Sequence, residues 1–242
     1  MINVIQLPAE HYLNAIEKNE PFSFSRFGDG EVLCMLRPEF YKNRPQYKDW
    51  IFTCGIELKQ IFKNKYDYYH CFLDCTFWNR GPHPGDDFEI FLNETCPDFL
   101  FYDGEIWQNL SFSGEITKIT RTISPYNPVF IGGKHLANMK YVTGMDHNIE
   151  LIAIDDNNGY LERDQVKDAI LKKVEEGHRL FCFSASVLTK VLVDELYPVI
   201  GDSCFLIDFG SMFDPYCGIL SRSTMVSVGF EKFQPYTTLR LS

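Results

Sequence analysis

The sequence lacks the marks of several large protein classes. None of its apolar runs approaches the roughly 20 residues needed to cross a bilayer, so no integral membrane segment is expected. The opening Met-Ile-Asn-Val-Ile-Gln-Leu-Pro has neither the basic segment nor the apolar block of a signal peptide, and a cytoplasmic protein is expected. Basic residues are in the minority: 23 Lys and Arg stand against 33 Asp and Glu, a formal net charge of -10. A phosphate backbone is held by neutralising it, so nucleic acid is excluded as a general partner. Eight cysteines occur, at 34, 54, 71, 75, 96, 182, 204 and 217, without a Cys-x-x-Cys pair or a histidine at finger spacing. Reduced, buried thiols are therefore expected in place of a zinc site or a disulfide framework. No Gly-x-Gly-x-x-Gly follows a strand, and neither the Walker pattern nor a Gly-x-Ser-x-Gly elbow occurs. Dehydrogenase, phosphate-loop and serine-hydrolase chemistry thus lose their usual signatures.

What is present suffices for one packed domain, with 242 residues of which 45% are hydrophobic and 15% aromatic. Its most informative stretch is Ser23-Phe24-Ser25-Arg26-Phe27-Gly28-Asp29-Gly30-Glu31. The apolar alternation reads as a strand, the glycines as a tight turn, and Glu31 to Leu36 as the start of a helix. Arg26, Gly28, Asp29 and Glu31 then fall at the carboxyl end of a strand, where open α/β sheets bind ligands. Two readings of Asp-Gly-Glu stand. Both carboxylates could hold Mn²⁺ or Mg²⁺, hard ions that take one or two carboxylates while substrate phosphates complete the shell. Alternatively, Asp29 caps the next helix and Glu31 sits in its first turn, where the macrodipole favours negative charge.

Further along, Ala9 to Lys18 has helical spacing, and residues 37 to 50 read as a loop. Ile56 to Phe62 reads as a helix and Tyr68 to Leu73 as a strand. Trp78, Arg80 and His83 follow in a breaker-rich segment that offers a stacking face, a cation and a titratable group. Residues 103 to 122 read as one or two helices broken at Gly114. Val129 to Ile131 is a buried strand running into Gly132-Gly133-Lys134, where backbone amides and Lys134 suit a phosphate, or where the glycines simply turn the chain. The strand Ile149 to Ile154 ends in Asp155-Asp156-Asn157-Asn158, again on the ligand edge or only shaping a turn. Arg179 to Phe183 is a strand, and Ser184-Ala185-Ser186 leads into a helix as an anion site or as serine caps. The last central strand begins at Cys204 and ends in Asp208-Phe209-Gly210-Ser211, followed by Asp214. Thr224 to Phe230 reads as an edge strand, and the tail from Glu231 as an exposed polar segment.

The stretch Phe-Ser-Phe-Ser-Arg-Phe-Gly-Asp-Gly-Glu resembles the N-terminal motif of the GT-D glycosyltransferases, a bacterial family long known as a domain of unknown function. The order strand, serine turn, helix, strand and Asp-x-Gly-Ser, about 180 residues on, resembles the C-terminal pattern of the same family, so the likeness runs from about Pro21 to Arg222. It implies that Asp29 and Glu31 serve the metal and the diphosphate of a nucleotide sugar, and that the Ser211 segment closes the nucleotide site. This chain departs from the family in carrying Ser184-Ala185-Ser186 where a Gly-Pro is common, and Ser211 where a histidine is common.

The expected fold is α/β, a three-layer, mostly parallel Rossmann-like sheet in one domain, with less regular material from about 37 to 125 on an acceptor side. The expected activity is metal-dependent transfer of a hexosyl unit from a nucleoside diphosphate sugar donor to a glycan or lipid-linked saccharide acceptor. Arg26, Gly28, Gly132, Lys134, Asn158, Ser184, Ser186, Ser211 and Arg222 are the donor-binding candidates. Asp208, Asp214, Asp155 and Asp156 are the candidates for acceptor base or sugar contacts. A metal-dependent phosphohydrolase and a non-catalytic nucleotide-sugar-binding module are the competing readings.

Overall fold

The computed structural model describes residues 4–41, 50–72, 84–146, 149–155 and 159–240. Eight strands form one sheet: β1 (Val4–Ile5), β2 (Ser23–Phe27), β3 (Tyr69–Phe72), β4 (Phe101–Asp103), β5 (Val129–Gly132), β6 (Glu150–Ala153), β7 (Leu180–Ser184) and β8 (Phe205–Asp208). Their order is β1-β4-β3-β2-β8-β7-β5-β6, and every pairing is parallel. The central strands β2, β5 and β8 are buried along their whole length and β7 along all but its last residue, as a sheet covered on both faces requires.

Nine α-helices cover it among the described residues: α1 (Ala9–Glu17), α2 (Asp29–Leu36), α3 (Ile51–Asn64), α4 (Pro84–Thr95), α5 (Ile106–Ser113), α6 (Ile116–Ile123), α7 (Arg163–Glu175), α8 (Val187–Ile200) and α9 (Ser223–Val228). One face carries α2, α3, α4, α7 and α8 over a core that includes Leu58, Phe62, Phe88 and Leu192. The other carries α1, α5, α6 and α9 with two 3-10 segments, Lys134–Tyr141 and Gly210–Cys217, over a core that includes Trp107, Ile119, Phe130 and Phe213. This is the expected three-layer fold. Residues 37 to 125 are more regular than their composition suggests, since they supply β3, β4 and the helices α3 to α6.

Three local readings change. α3 begins at Ile51, five residues before the expected start, because Ile51, Cys54 and Leu58 share its buried face across Gly55. That glycine is required: a Cβ there would lie 2.3 Å from the Cys34 carbonyl oxygen of α2. Thr224 to Phe230 is not an edge strand but lies mostly in α9. Its alternating pattern is not one of burial, for Met225 is buried while Val226 and Val228 face solvent. The tail is not simply exposed either. Phe233 is fully buried and meets Tyr216 edge-on at 5.2 Å, and Thr237 bridges to Val142. The described cysteines are all free and buried.

Asp194 of α8 is buried beside Asn64, whose side-chain amide donates to it at 2.6 Å, and Tyr68. Burial pushes its carboxyl up to about 6, with Asn64 and Tyr68 opposing. A folded-state value above the unfolded one makes a contribution that is present below about pH 4 and lost as the pH rises through about 6. Asp194→Asn should therefore gain about 1–3 kcal/mol relative to the wild type between pH 4 and pH 8. Urea denaturation midpoints at the two pH values measure the difference.

Candidate functional site

The chain leaves neighbouring strands toward opposite faces along one edge of the sheet. After β2 and β7 it enters α2 and α8 on one side; after β5 and β8 it enters the 3-10 segments 134–141 and 210–217 on the other. Connections that diverge in this way mark the topological switch point at the carboxyl ends of β2, β8, β7 and β5, the crevice position at which α/β sheets bind ligands. The expected motifs converge there from both halves of the chain.

The floor of this crevice is a buried quartet of charges. Asp208, 1% exposed, accepts the Arg26 backbone N–H through Oδ2 at 3.1 Å and the Gly210 N–H through Oδ1 at 2.9 Å. Lys190, in the first turn of α8, places Nζ 2.9 Å from Asp208 Oδ2 and 3.3 Å from Glu31 Oε1, and donates to the Ser186 carbonyl at 3.1 Å. Glu31 Oε2 accepts the Gly28 N–H at 2.9 Å. That contact is half of a capping box, with Gly28 as the cap of α2. Arg26 extends beneath Gly210 and donates from a terminal guanidinium nitrogen to the Phe209 carbonyl at 2.7 Å. Burial alone would raise the Glu31 carboxyl, but Lys190 and the Gly28 N–H outweigh it and hold it below the ordinary carboxylate range. Burial likewise works against the Lys190 ammonium, and the two facing carboxylates raise it above the ordinary lysine value.

The two acids of Asp-Gly-Glu therefore share a turn but part in direction. Asp29 is exposed at the first position of α2, with Oδ1 accepting the Gly30 N–H at 2.9 Å. Glu31 points inward to a resident ammonium ion. Among the described residues no group of three or more His, Cys, Asp or Glu is placed to hold a metal. The donor set suits an ion that takes one carboxylate, Asp29, with phosphate and water oxygens, and not one clamped between both acids.

The remaining candidates divide. Gly132 ends β5 and is buried; a Cβ there would come 2.7 Å from the Ser184 carbonyl oxygen, so this glycine serves the close approach of β5 and β7. Lys134 is exposed at the head of its 3-10 segment. Ser184 donates its hydroxyl to the Gly210 carbonyl and ties β7 to the turn after β8. Ser186 precedes α8 at φ 50 and ψ -137, an uncommon backbone state for a residue with a Cβ. Ser211 and Arg222 meet, Nε donating to Oγ at 3.2 Å. Asp155 is exposed at the end of β6. Asn158, with Asp156, Trp78, Arg80 and His83, lies outside the described residues.

Two residues of this edge escaped the sequence reading. Lys190 stood in an apolar helical pattern, and only its place one turn after the serine segment hinted at the ligand edge. His135 Nε2 lies 2.9 Å from Asp214 Oδ1, joining the two 3-10 segments at the crevice. Gly210 shows how tightly the floor is built. Its φ is +56°, and a Cβ would approach an Arg26 guanidinium nitrogen to 2.7 Å. Gly210→Ala should lower stability by about 1–3 kcal/mol through strain and displacement of Arg26, read as a drop in the denaturation midpoint.

Comparison with solved structures gives the class of fold. One neighbour, described as the highly conserved domain of unknown function 1792 with a distinct glycosyltransferase fold, has a TM-score of 0.63 and 21% identity over 86% of this chain and 79% of its own. Another, a new glycosyltransferase of the same domain from Streptococcus sanguinis, has a TM-score of 0.63 and 16% identity over 99% of this chain and 96% of its own. A selenomethionine form of the domain matches with a TM-score of 0.60 and 18% identity, over 99% of this chain and 92% of its own. No protein-family model matches the sequence, and no curated protein matches it. The chain has this glycosyltransferase fold, and its structural neighbours are the group its two motifs resemble. Among the described residues no helix is long and apolar enough to cross a membrane.

Proposed function

We propose that this protein is a glycosyltransferase that moves a hexosyl unit from a nucleoside diphosphate sugar to a saccharide acceptor. The observation that carries the reading is the switch point itself. It sets an exposed carboxylate, Asp29, at the start of α2 beside the N-terminus of α8, in a fold shared with glycosyltransferases. Two helix N-termini suit a diphosphate, and Arg222 beside Ser211 adds a guanidinium able to take phosphate oxygens in pairs. Mn²⁺ or Mg²⁺ held by Asp29 would offset the charge that builds on the leaving diphosphate. Lys190 and Arg26 lie beneath; the cost of burying Lys190 is met by Asp208 and Glu31, and the Arg26 guanidinium donates to the Phe209 carbonyl.

Asp208 is surrounded by donors and 1% exposed, so it is a structural anchor and not a base. His135 is the better candidate to accept the acceptor hydroxyl proton, with Asp214 orienting its ring from behind. In that step the acceptor oxygen bonds to the sugar's anomeric carbon, the bond from that carbon to the diphosphate breaks, and the proton passes to the imidazole.

A thermal-shift panel of nucleoside diphosphate sugars, with and without Mn²⁺, tests the assignment. One base should stabilise the protein in a metal-dependent way. At a hundredfold excess over Kd the gain is about 2.7 kcal/mol, or about 5–10 °C for a chain of this size. Absence of any shift across the panel overturns the reading. Rapid turnover of the donor without an acceptor would assign a phosphohydrolase instead.

A further inference from the structure

A cavity of about 720 Å³ lies at the opposite edge of the sheet, around the amino ends of β2, β3 and β4. Its size falls within the ~300–1,000 Å³ of small-molecule sites. From Ser23, which lines it, to Phe27 at the crevice is about 13 Å along β2. No step proposed above uses it.

We propose that this cavity is a saccharide-binding site. Its lining combines flat aromatic faces with hydrogen-bonding groups of both kinds. Tyr66, Tyr69, Tyr102 and Tyr197 line it and are partly exposed. Tyr69 meets Tyr102 edge-on at 4.9 Å, and Tyr66 lies 5.6 Å from Tyr197, so the rings are braced before any ligand arrives. Tyr197 is fixed further by donating to the Asp67 carbonyl at 2.7 Å, and Tyr69 by His11 at 2.8 Å. Asp67, Asp98 and Asp202 add carboxylates to the lining, and ionised carboxylates only accept, so the ligand must bring donors.

A donor in the lining is Lys65, which is exposed. A sugar ring offers apolar C–H faces to the tyrosines, hydroxyl protons to the aspartates and a hydroxyl oxygen to the Lys65 ammonium. An organic cation would also be drawn to aromatic faces and carboxylates. It has no oxygen to accept a Lys65 proton, however, and it would meet that ammonium in the same lining. Taken with the proposed transferase activity, the site would hold an acceptor chain away from its reacting end. That consequence rests on the activity; the binding itself does not.

Saturation-transfer NMR with maltotriose, cellotriose and chitotriose tests the site directly on the full chain. At least one should show transfer to its ring protons, with Kd at least tenfold weaker in Tyr102→Ala and in the Asp98→Asn/Asp202→Asn pair. The pair changes exposed positions and keeps the test valid if the tyrosine variant fails to fold. Binding should be unchanged in Asp29→Asn, at the far edge. The proposal is overturned by no transfer to any of the three sugars, by affinity indifferent to the Asp98/Asp202 pair, by loss in Asp29→Asn, or by tetramethylammonium binding in preference. Failure of the transferase reading would appear separately, in the nucleotide-sugar panel.

Discussion

Lys190→Met should cost about 3–5 kcal/mol of stability at pH 8, enough to lower the melting temperature by roughly 10 °C. The ammonium it removes lies between Asp208 and Glu31, both almost wholly buried, so two carboxylates would remain without their cation. The pH dependence gives the sign. In the wild type the Glu31 carboxyl is held below its ordinary 4.5, so its contribution is present above that value and lost as the pH falls through the lower, folded-state one. Without Lys190 that contribution is missing, and burial acts to raise the carboxyl. The deficit of the variant should therefore be largest at pH 8 and shrink toward pH 4, where the Glu31 carboxyl, raised by burial once Lys190 is gone, can protonate. Adding Glu31→Gln and Asp208→Asn to Lys190→Met should recover most of the loss, because a neutral, hydrogen-bonded trio replaces an unbalanced one. Guanidinium denaturation of the single and triple variants at the two pH values measures both effects. A deficit of under 1 kcal/mol, flat with pH, would show that the quartet does not hold the crevice floor together.

The second large effect separates the two acids of one motif. Asp29→Asn should leave stability within about 0.5 kcal/mol, since the side chain is exposed and makes only a local contact with the Gly30 N–H. It should abolish the Mn²⁺-dependent stabilisation by donor and reduce transfer about 100- to 1,000-fold, the range seen when one preorganised electrostatic group is removed. Glu31→Gln should behave in the opposite way. It should cost about 1–3 kcal/mol by weakening the hold on Lys190 while leaving Mn²⁺ affinity nearly intact. Calorimetric Mn²⁺ titrations in the presence of donor, paired with denaturation curves, distinguish these patterns. Loss of Mn²⁺ binding in Glu31→Gln at unchanged stability would restore the two-carboxylate site read from Asp-Gly-Glu.

That contrast marks how far the sequence could be read. The apolar runs of β2, β5, β7 and β8 were visible because a parallel sheet covered on both faces buries every side chain, and their ends located the crevice. The roles within it were less visible. Asp-x-Glu is compatible with a shared ion, and only the direction of Glu31, fixed by Gly28 and by a lysine 159 positions away, separates the two acids. Lys190 lies among apolar residues of α8, where nothing local tells a buried ammonium from one on a solvated face. His135 and Asp214 meet across 79 residues through two 3-10 segments, which leave no periodic trace. The same holds for Phe233, an isolated aromatic in a polar tail that proves to be core. α9 was misread because Thr-Met-Val-Ser-Val alternates in polarity without alternating in burial.

The strand order has a consequence for assembly. β8, the last strand in the chain, lies at the centre of the sheet, and it alone joins β1–β4 to β5–β7 through β2 and β7. A chain that ends before Phe205 holds two half-sheets with no strand pairing between them, and neither Arg26 nor Lys190 has met Asp208. The floor of the crevice is therefore complete only once β2 has paired with β8, the longest-range strand pairing in the sheet.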